Sequence, residues 1–412
     1  MHILWIKTEL LHPVDKGGRI RTYQMLRALA RQHEITYLAL DDGTAAPDAR
    51  EKATEYCAHV DVIPFTPPQK GSLAFYAALI GNLVSPLPYA VARYEVPALS
   101  KRLRAICASR RVDVVVCDFL APSINVPDDL GVPVVLFQHN VEAMIWERHA
   151  NVATHPVKKA YMREQWKRMK RFEAGECRRV TSVVAVSSQD AAVFRDEYGV
   201  SDVPDVPTGV DTDYFTRRPD VVRTPGSMVF TGSMDWMPNE DGIAWFVESI
   251  LPRIRAVVPH ATLTIVGRNP TSKVKALHAP DGGVTVTGSV PDVRPYLASH
   301  ELFVVPLRVG GGTRLKIYEG MTMGLPTVST TIGAEGLPVV EGEHLVRADD
   351  PESFARECIA LLQDPERAAA MGDAADRFVR ANFGWDGVAV RFAEFCQAAI
   401  PAAPAPLSFM QA

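Results

Sequence analysis

The densest group of residues that could do chemistry lies between residues 305 and 319, where an apolar run leads through glycines into a helical pattern. The turn comprises Gly310, Gly311, Gly312 and Thr313, and Arg314 and Lys316 follow it. Glycines let a backbone approach a ligand closely, and a helix N-terminus attracts anions. Cations in the first turn oppose the helix dipole unless an anion binds there. The segment therefore predicts a diphosphate site, with Glu319 placed to accept hydrogen bonds from a sugar or ribose diol; the alternative is a flexible loop before a surface helix.

A second strand-to-helix loop, at residues 230–239, carries polar groups suited to a phosphate. Gly232 permits close approach, Ser233 can donate a hydrogen bond to a phosphate oxygen, and Asn239 is a favourable helix N-cap. A simple capped turn explains these residues equally well. Arg268, which follows the next apolar run after Gly267, is a third candidate, and its position alone is weak evidence.

The first half of the chain offers a matching set of candidates. Gly17 and Gly18, with basic neighbours on both sides, follow the first apolar run, where a glycine turn can approach a phosphate. Asp118 and His139 each end an apolar run, and side chains at the carboxyl ends of parallel strands form sites in α/β sheets. On pattern alone, a capping or core role is the better interpretation of both.

Short apolar runs alternate with helical patterns along the chain, which predicts strand–helix–strand units and parallel sheets. The predicted strands are Ile3–Lys7, Ile35–Leu40, Val60–Pro64, Val112–Cys117, Val134–Gln138 and Ser182–Val186, then Met228–Phe230, Leu263–Val266, Leu302–Val305 and Thr327–Ser329. Prolines between residues 203 and 225 interrupt the pattern and predict a domain boundary near residue 215. The sequence therefore predicts an α/β fold of two doubly wound, Rossmann-like domains that face each other across a ligand-binding cleft.

Composition limits the class of protein. The 412 residues are 47% hydrophobic and 22% charged, which predicts two globular domains rather than disorder. Forty-four Lys plus Arg against 48 Asp plus Glu give a net charge of −4, which argues against a nucleic-acid-binding protein. The six cysteines show no metal-like spacing, which predicts reduced thiols in a cytoplasmic protein without a metal site. The Pro/Ala-rich stretch at residues 401–412 is predicted to be a disordered tail.

The segment 158–179 combines a helical pattern with a strong excess of basic residues. Nine basic side chains outnumber three acidic ones: Lys158, Lys159, Arg163, Lys167, Arg168, Lys170, Arg171, Arg178 and Arg179 against Glu164, Glu173 and Glu176. A solvated helix face is the simpler interpretation. The other is peripheral contact with an anionic membrane, to which each nearby basic residue contributes roughly 1 kcal/mol.

The chain resembles the retaining, nucleotide-sugar-dependent glycosyltransferases of family four, which have the GT-B fold. The resemblance rests on the Gly17-Gly18 pair, on the motif Pro207-Thr208-Gly209-Val210-Asp211-Thr212-Asp213-Tyr214-Phe215, on the block 310–336, and on Phe383-Gly384-Trp385. Two further motifs, Gln138-His139-Asn140-Val141-Glu142 and Asp235-Trp236-Met237-Pro238-Asn239, are similar to those of sugar transferases associated with bacterial exopolysaccharide and exosortase loci.

The resemblance implies a role for each matched residue. Arg314 and Lys316 would grip the diphosphate, Glu319 would bind the nucleotide ribose, and His139 would touch the donor sugar near the reacting carbon. The Gly17-Gly18 pair would lie near the phosphates. Gly267 and Arg268 would lie where the second domain approaches the base.

The resemblance also implies a division of labour between domains. Residues 1–215 would form an acceptor-binding domain and residues 216–382 a nucleotide-sugar-binding domain. A helix in residues 383–400 would cross back to the first domain.

Two departures from the family pattern affect the donor site. The family usually has another glutamate eight positions before Glu319, where this chain has Gly311. The family also usually has an arginine and a lysine in the loop after the first strand of the second domain, where this chain has Ser233. We expect Arg314 and Lys316 to take over the duty of those two cations.

The resemblance implies a hexosyltransferase-type enzyme that moves a sugar from a nucleoside diphosphate sugar to a hydroxyl of a glycan or lipid-linked acceptor, without a metal or other cofactor. A nucleotide-sugar epimerase is one alternative, which would convert the donor with no acceptor present. A catalytically silent nucleotide- or glycan-binding subunit is another, which Gly311 favours. A dinucleotide oxidoreductase fits less well because no Gly-x-Gly-x-x-Gly follows the first strand.

Overall fold

The computed structural model of the protein describes residues 1–14, 17–69, 71–152, 155–309 and 315–401, without the side chains of His149 and Val152. The chain divides into two compact units, Met1–Pro207 with Val388–Ala412, and Thr208–Gly387. The predicted disordered tail lies outside the described residues except for Pro401.

The first unit is built on a six-stranded parallel sheet with the order β3-β2-β1-β4-β5-β6. Its strands are β1 His2–Lys7, β2 Glu34–Asp41, β3 His59–Pro64, β4 Val114–Asp118, β5 Val134–Phe137 and β6 Ser182–Val184. Each agrees with a predicted strand to within two residues at either end. The central strands β1, β4 and β5 are buried along their whole length, as is typical of a parallel sheet that helices cover.

Helices flank this sheet. They are α1 Gly17–Leu29, α2 Ala49–Lys52, α3 Leu73–Asn82, α4 Tyr89–Ala92, α5 Pro97–Ser109, α6 Glu142–Val152, α7 Pro156–Arg179 and α8 Ser188–Asp196, with short 3-10 turns at Ala53–Glu55 and Ala121–Asn125. The predicted glycine turn at Gly17-Gly18 is wrong in detail, because both residues belong to the first turn of α1.

The second unit repeats the plan with a six-stranded parallel sheet of order β12-β11-β10-β7-β8-β9. Its strands are β7 Ser227–Thr231, β8 Thr262–Val266, β9 Val284–Gly288, β10 Leu302–Val305, β11 Thr327–Ser329 and β12 Val346–Arg347. The sequence did not predict β9 and β12. Both are edge strands, and β9 is mostly half-exposed while β12 has two residues, so neither leaves a long apolar run.

The helices of the second unit are α9 Met237–Trp245, α10 Leu251–Val257, α11 Ser272–Ala276, α12 Arg294–Ser299, α13 Leu315–Thr322, α14 Pro351–Gln363 and α15 Pro365–Phe383, and a π-helical turn at Phe246–Ile250 joins α9 to α10. The predicted N-cap role of Asn239 is wrong, because α9 begins two residues earlier, next to Pro238. Proline suits the first turn of a helix because its missing N–H would have no partner there.

Two motifs that carry the family resemblance pack against each other within the second unit. The backbone N–H of Val210 donates to the carbonyl of Phe383 at 2.8 Å, and a β-bridge joins Val210 to Gly384. A Cβ atom at Gly209 would lie 2.6 Å from the Trp385 ring. Glycine is therefore required at residue 209 for the two segments to meet.

The last described helix is α16, Trp385–Ala399. Its Phe392 is fully buried and packs on two rings of the first sheet, with centroids 5.6 Å from Trp5 and 4.7 Å from Phe137. The C-terminal part of α16 thus belongs to the core of the first unit, although it follows the second unit in sequence.

Candidate functional site

Both sheets change direction at the same point of their strand order. In each, the chain runs outward from the first strand to the third and then returns to place the fourth strand beside the first, so the switch points are β1/β4 and β7/β10. Ligands in doubly wound sheets bind outside the carboxyl ends of the strands at such points. A ligand site is therefore expected at β1/β4 in the first sheet and at β7/β10 in the second.

At the β7/β10 switch point, Lys316 from the first turn of α13 lies against the loop that follows β7. Its Nζ donates to Oδ1 of Asn239 at 3.0 Å and lies 4.2 Å from the centre of the Phe230 ring. A Cβ atom at Gly232 would lie 2.7 Å from this Nζ. The structure thus brings together three residues that the sequence singled out separately, and a side chain at residue 232 would displace the amine from this position.

The same loop is fixed to the end of β8. The backbone N–H of Gly232 donates to the backbone carbonyl of Val266 at 3.0 Å, and that of Met234 donates to the backbone carbonyl of Arg268 at 2.8 Å. A Cβ atom at Gly267 would lie only 1.6 Å from the carbonyl oxygen of Gly232. Gly267 is therefore needed for close contact between two strand ends, which is a structural role.

Ser233 and Arg268 lie in an exposed hydrogen-bond network beside this loop. Arg268 Nε donates to Ser233 Oγ at 3.1 Å, and Ser233 Oγ donates to Asp235 Oδ1 at 2.6 Å. Asn269 Nδ2 donates to the other oxygen of Asp235 at 3.0 Å. The hydrogen bonds from Ser233 and Asn269 lower the pKa of Asp235. The structure thus brings together Ser233 and Arg268, which the sequence singled out separately.

Glu319 follows Lys316 on α13 and is only partly exposed. Burial raises the pKa of this carboxyl group to about 7, although the charge of Lys316 acts in the opposite direction. No described residue donates a hydrogen bond to its side chain. A carboxyl group that is removed from water without a donor is costly, and a ligand hydroxyl would supply that donor. The predicted residues Gly310, Gly311, Gly312, Thr313 and Arg314 lie outside the described part of the chain.

At the β1/β4 switch point, Asp118 and His139 form a buried pair with His139 Nε2 2.6 Å from Asp118 Oδ1. The other oxygen, Oδ2, accepts from Lys7 Nζ at 2.8 Å, from Thr22 Oγ1 at 2.6 Å and from Trp5 Nε1 at 3.1 Å. Burial acts to raise the pKa of Asp118, but Lys7 and His139 outweigh it and hold the pKa well below its ordinary value. Asp118 is therefore an ionised carboxylate with three donors on Oδ2 and the His139 ring next to Oδ1.

The same surroundings fix the state of His139. Burial lowers its pKa to about 4, although Asp118 acts in the opposite direction, so the imidazole is neutral at pH 7. Because an ionised carboxylate can only accept hydrogen bonds, the contact with Asp118 favours the tautomer with the ring proton on Nε2. The lowered pKa thus favours a neutral His139 ring in contact with Asp118 at pH 7.

Phe119 connects this pair to the start of α1. Its ring stacks on His139 with centroids 3.8 Å apart, and a Cβ atom at Gly18 would lie 3.1 Å from it. Phe119 has a φ of 72°, in the left-handed region that a non-glycine residue rarely adopts. Backbone strain of this kind persists only where the surroundings enforce it and is concentrated at functional sites. Gly17, by contrast, has no atom near enough to exclude a side chain.

Several residues of this centre escaped the sequence analysis. Lys7 and Thr22 complete the shell around Asp118, although a lysine is rarely buried. Glu173 on α7 is fully buried and accepts from the backbone N–H groups of Glu142 at 2.8 Å and Ala143 at 3.0 Å, so it caps α6 just after His139. Its position four residues after buried Met169 on α7 was the available signal.

Two family models match the chain. Residues 16–214 match the model described as Glycosyltransferase Family 4, and residues 225–364 match the model described as Glycosyl transferases group 1. Together the matches support a glycosyltransferase with the GT-B fold.

Curated relatives match over part of their length. A protein described as an uncharacterized 44.6 kDa protein in the cps region of Klebsiella pneumoniae is 28% identical over 38% of this chain and 42% of its own. The GDP-mannose-dependent alpha-(1-6)-phosphatidylinositol monomannoside mannosyltransferase of Mycolicibacterium smegmatis is 28% identical over 52% of this chain and 61% of its own. The chain thus spans about half the length of these two relatives.

Solved structures share the fold at low sequence identity. Anabaena Alr3699/HepE in complex with UDP has a TM-score of 0.65 and 12% identity, and the match covers 97% of this chain and 100% of that one. A glycosyltransferase from Rickettsia africae has a TM-score of 0.63 and 15% identity, with 98% and 99% covered. The predicted α/β fold of two doubly wound domains is confirmed by the two sheets and by these structures.

Proposed function

We propose that the protein is a hexosyltransferase that moves a sugar from a nucleoside diphosphate sugar to an acceptor hydroxyl with retention of the anomeric configuration. The observation that carries the proposal is the position of Lys316, at the N-terminus of α13 and against Gly232 and Asn239 at the β7/β10 switch point. An amine at this place can pair with a phosphate, and the helix N-terminus adds backbone donors. The UDP complex of HepE and the GDP-mannose dependence of the mycobacterial relative favour a nucleoside diphosphate donor.

The donor site is proposed to lie in the second unit. Lys316 and Arg314 pair with the diphosphate, and the backbone of Gly310–Thr313 approaches its oxygens. Glu319 accepts from the ribose hydroxyls, which would satisfy a carboxyl group that has no donor among the described residues. Ser233 and Gly232 face the phosphates from the loop after β7. Because Lys316 reaches that loop, it is proposed to supply the positive charge that the family pattern has there.

Catalysis is proposed to be mainly electrostatic. Negative charge builds on the departing diphosphate in the transition state, and fixed cations and N–H donors at that point stabilise it. The leaving phosphate takes the proton of the acceptor hydroxyl, so no side chain needs to act as a general base. His139 serves as a neutral group that orients the donor sugar, in keeping with its lowered pKa and its fixed ring. No metal or other cofactor takes part in the proposed reaction.

The first unit is proposed to bind a glycan or lipid-linked acceptor. The proposed biological setting is cytoplasmic synthesis of an exopolysaccharide or another cell-surface polysaccharide. The Klebsiella relative encoded in a cps region supports this setting.

A thermal-shift screen tests the donor class directly. Purified protein is heated with UDP, GDP, ADP or dTDP, and then with sugar conjugates of the nucleotide that binds. A ligand that binds the native state raises the temperature midpoint of unfolding. At a ligand concentration one hundred times Kd, the free energy of unfolding rises by about 2.7 kcal/mol. We expect one base to stand out, and sugar transfer to follow when a suitable acceptor is added. No shift with any nucleotide contradicts the proposal. Binding without transfer to any acceptor favours the silent binding subunit, and conversion of the donor alone favours the epimerase.

A further inference from the structure

Helix α7 buries one stripe of its surface in the core of the first unit. Gln165, Met169, Glu173 and Cys177 are spaced four residues apart, so they lie on one face of the helix, and all four are buried. Neither α7 nor any other described helix is both long and apolar enough to cross a membrane. A glutamate in a buried stripe is unusual, because carboxylates are rarely buried unless they are paired. The groups around Glu173 therefore indicate its role.

Four hydrogen-bond donors surround the carboxyl group of Glu173. Oε1 accepts from Gln138 Nε2 at 3.2 Å and from the backbone N–H of Glu142 at 2.8 Å. Oε2 accepts from the backbone N–H of Ala143 at 3.0 Å and from the hydroxyl of Tyr198 at 2.9 Å. An ionised carboxylate accepts on both oxygens, whereas an amide has only one oxygen. Only the carboxylate can therefore accept from all four donors.

Three of these donors lie on the two sides of His139 in the chain. Gln138 immediately precedes it, and Glu142 and Ala143 follow it by three and four residues. The chain thus leaves the end of β5 beside the carboxylate, carries His139, and returns to the same carboxylate at the start of α6. The first N–H groups of a helix have no partner within it, and a negative charge there is favourable. Glu173 therefore fastens the chain both before and after His139.

The ionised form of Glu173 is kept at a cost in free energy. Burial raises the pKa of Glu173 to about 7, although the N–H groups of Ala143 and Glu142 and the hydroxyl of Tyr198 act in the opposite direction. The four hydrogen bonds thus do not fully replace the lost contact with water. An apolar residue of similar size would avoid this cost if only packing were needed, because such replacements of buried charges are often neutral or stabilising.

The His139 ring makes contacts that depend on an exact backbone position. Its Nε2 lies 2.6 Å from Asp118 Oδ1, and its centre lies 3.8 Å from the centre of the Phe119 ring. A residue that orients a substrate must be held to within about 0.5 Å by the groups around it. The next residue, Asn140, is exposed, so the chain that follows His139 is not held by core packing at that point. Its attachment at the start of α6 is therefore needed.

We propose that Glu173 is a positioning residue for the transfer reaction, whose carboxylate holds residues 138–143 and thereby keeps His139 where it orients the donor sugar. Glu173 is fully buried, so it acts through His139. The proposal rests on the proposed function, which gives His139 that role. The simpler alternative is that Glu173 only stabilises the packing of α6 on α7, in which case its loss changes stability and leaves His139 in place.

The environment of the His139 ring tests the proposal without any substrate. The ring ¹⁵N signals of the full chain are recorded at pH 8, where Glu173 is mostly ionised, and the His139 signals are identified by their loss in His139→Gln. Whichever way the amide of Glu173→Gln turns, its NH₂ group faces one of the two backbone N–H groups of α6, so one attachment is lost. We therefore expect the His139 signals to shift and broaden.

Tyr198→Phe is the matched control for this measurement. It removes one donor from the same carboxylate and leaves the three donors on the two sides of His139 in place. The His139 signals should therefore stay at their wild-type positions. Unchanged His139 signals in Glu173→Gln overturn the proposal, and so do equal shifts in the two variants, whether or not the protein transfers sugar.

A double-mutant cycle on the rate of sugar transfer shows whether Glu173 acts through His139. Glu173→Gln should lower kcat about 10- to 100-fold, the effect of a small misplacement of an orienting group. The KM for the donor should change less than about threefold, since the proposed contacts to the diphosphate and the ribose lie in the second unit. In a His139→Ala background, Glu173→Gln should lower kcat less than about twofold further, because no ring is left to position. Losses of equal size in the two backgrounds overturn the proposal.

A second variant leaves the buried charge in place. If Glu173→Gln does not fold, as circular dichroism shows, Gln138→Met is used instead, because it removes only the fastening before His139. It should lower kcat about tenfold and have no further effect in the His139→Ala background. Normal kcat in the folded Gln138→Met protein overturns the proposal. Absence of transfer by the wild-type protein contradicts the proposed function instead, and the ring signals then decide for or against Glu173.

Discussion

Asp118 in the first unit and Glu319 in the second are both at least partly buried, but they differ in their hydrogen-bond donors and in the direction in which their pKa values are shifted. Asp118 has three hydrogen-bond donors on Oδ2, lies next to His139 and has a pKa well below its ordinary value. Glu319 has no hydrogen-bond donor among the described residues and a pKa raised to about 7. Among the described residues, the first carboxyl group has hydrogen-bond donors and the second has none.

The difference distinguishes a carboxyl group that positions its neighbours, Asp118, from one that is proposed to bind a ligand, Glu319. Charges that satisfy each other inside a protein fix its structure, because removing either one leaves the other buried without compensation. The Lys7–Asp118–His139 group therefore holds the strand ends and the His139 ring of the first unit. A carboxyl group that is partly removed from water and lacks a hydrogen-bond donor can be stabilised by a ligand that supplies one. Its raised pKa reflects the unfavourable free energy of the charged form. Substitutions at the two sites should accordingly damage different properties.

The largest effect is expected on folding, at Asp118. Asp118→Asn keeps the shape of the side chain but removes the charge that Lys7 requires, so the free energy of unfolding should fall by about 3–5 kcal/mol. Urea unfolding of the first unit measures it. The control is Asp61→Asn, which breaks the exposed pair with Arg102 and should cost at most about 1 kcal/mol. Equal losses of unfolding free energy in the two variants would mean that the buried group does not contribute more to stability than an exposed ion pair.

The next effect is expected on turnover, at Lys316. Lys316→Ala should lower the rate of sugar transfer about 10²- to 10³-fold, the effect of removing one fixed donor from a developing negative charge. Its unfolding free energy should change far less than that of Asp118→Asn. Lys275→Ala removes an exposed lysine of the same unit and should leave the rate unchanged. Near-normal transfer by Lys316→Ala would remove Lys316 from the site.

The sequence predicted the elements of the fold better than the contacts between them. Ten of the twelve strands follow from apolar runs, because central parallel strands are buried on both faces. Asp118 and His139 were each identified as strand-end residues, but their pairing was not, since contact between positions 21 residues apart depends on which strands adjoin. Glu173 was counted among the surface charges of a basic helix, and only helical phase relates it to buried Met169 and Cys177.

A smaller effect is expected on nucleotide affinity, at Glu319. Glu319→Gln should weaken binding of the nucleoside diphosphate about 10- to 100-fold, the contribution of hydrogen bonds to a charged acceptor. Isothermal titration calorimetry with the nucleotide found in the thermal-shift screen measures it. Glu366→Gln makes the same substitution at an exposed glutamate of the same unit and should leave the nucleotide affinity unchanged. Unchanged affinity in Glu319→Gln would leave its raised pKa without a ligand-binding explanation.

The smallest effect concerns pH and tests the Glu319 side of the comparison without any ligand. A carboxyl group with a folded pKa near 7 and an ordinary value of 4.5 takes up a proton on folding between those pH values. The wild-type protein should therefore lose stability relative to Glu319→Gln as pH rises from about 4.5 to 7, by roughly 1 kcal/mol once partial exposure is allowed for. Unfolding of the second unit at pH 5 and pH 8 measures the difference.

Glu173 has a similarly raised pKa but is present in both proteins, so its contribution cancels. Asp118 titrates in the opposite sense and at lower pH, because its lowered pKa gives stability that is lost on acidification. A difference between wild type and Glu319→Gln that does not vary with pH would mean that Glu319 is already satisfied, and the contrast between the two carboxyl groups would disappear.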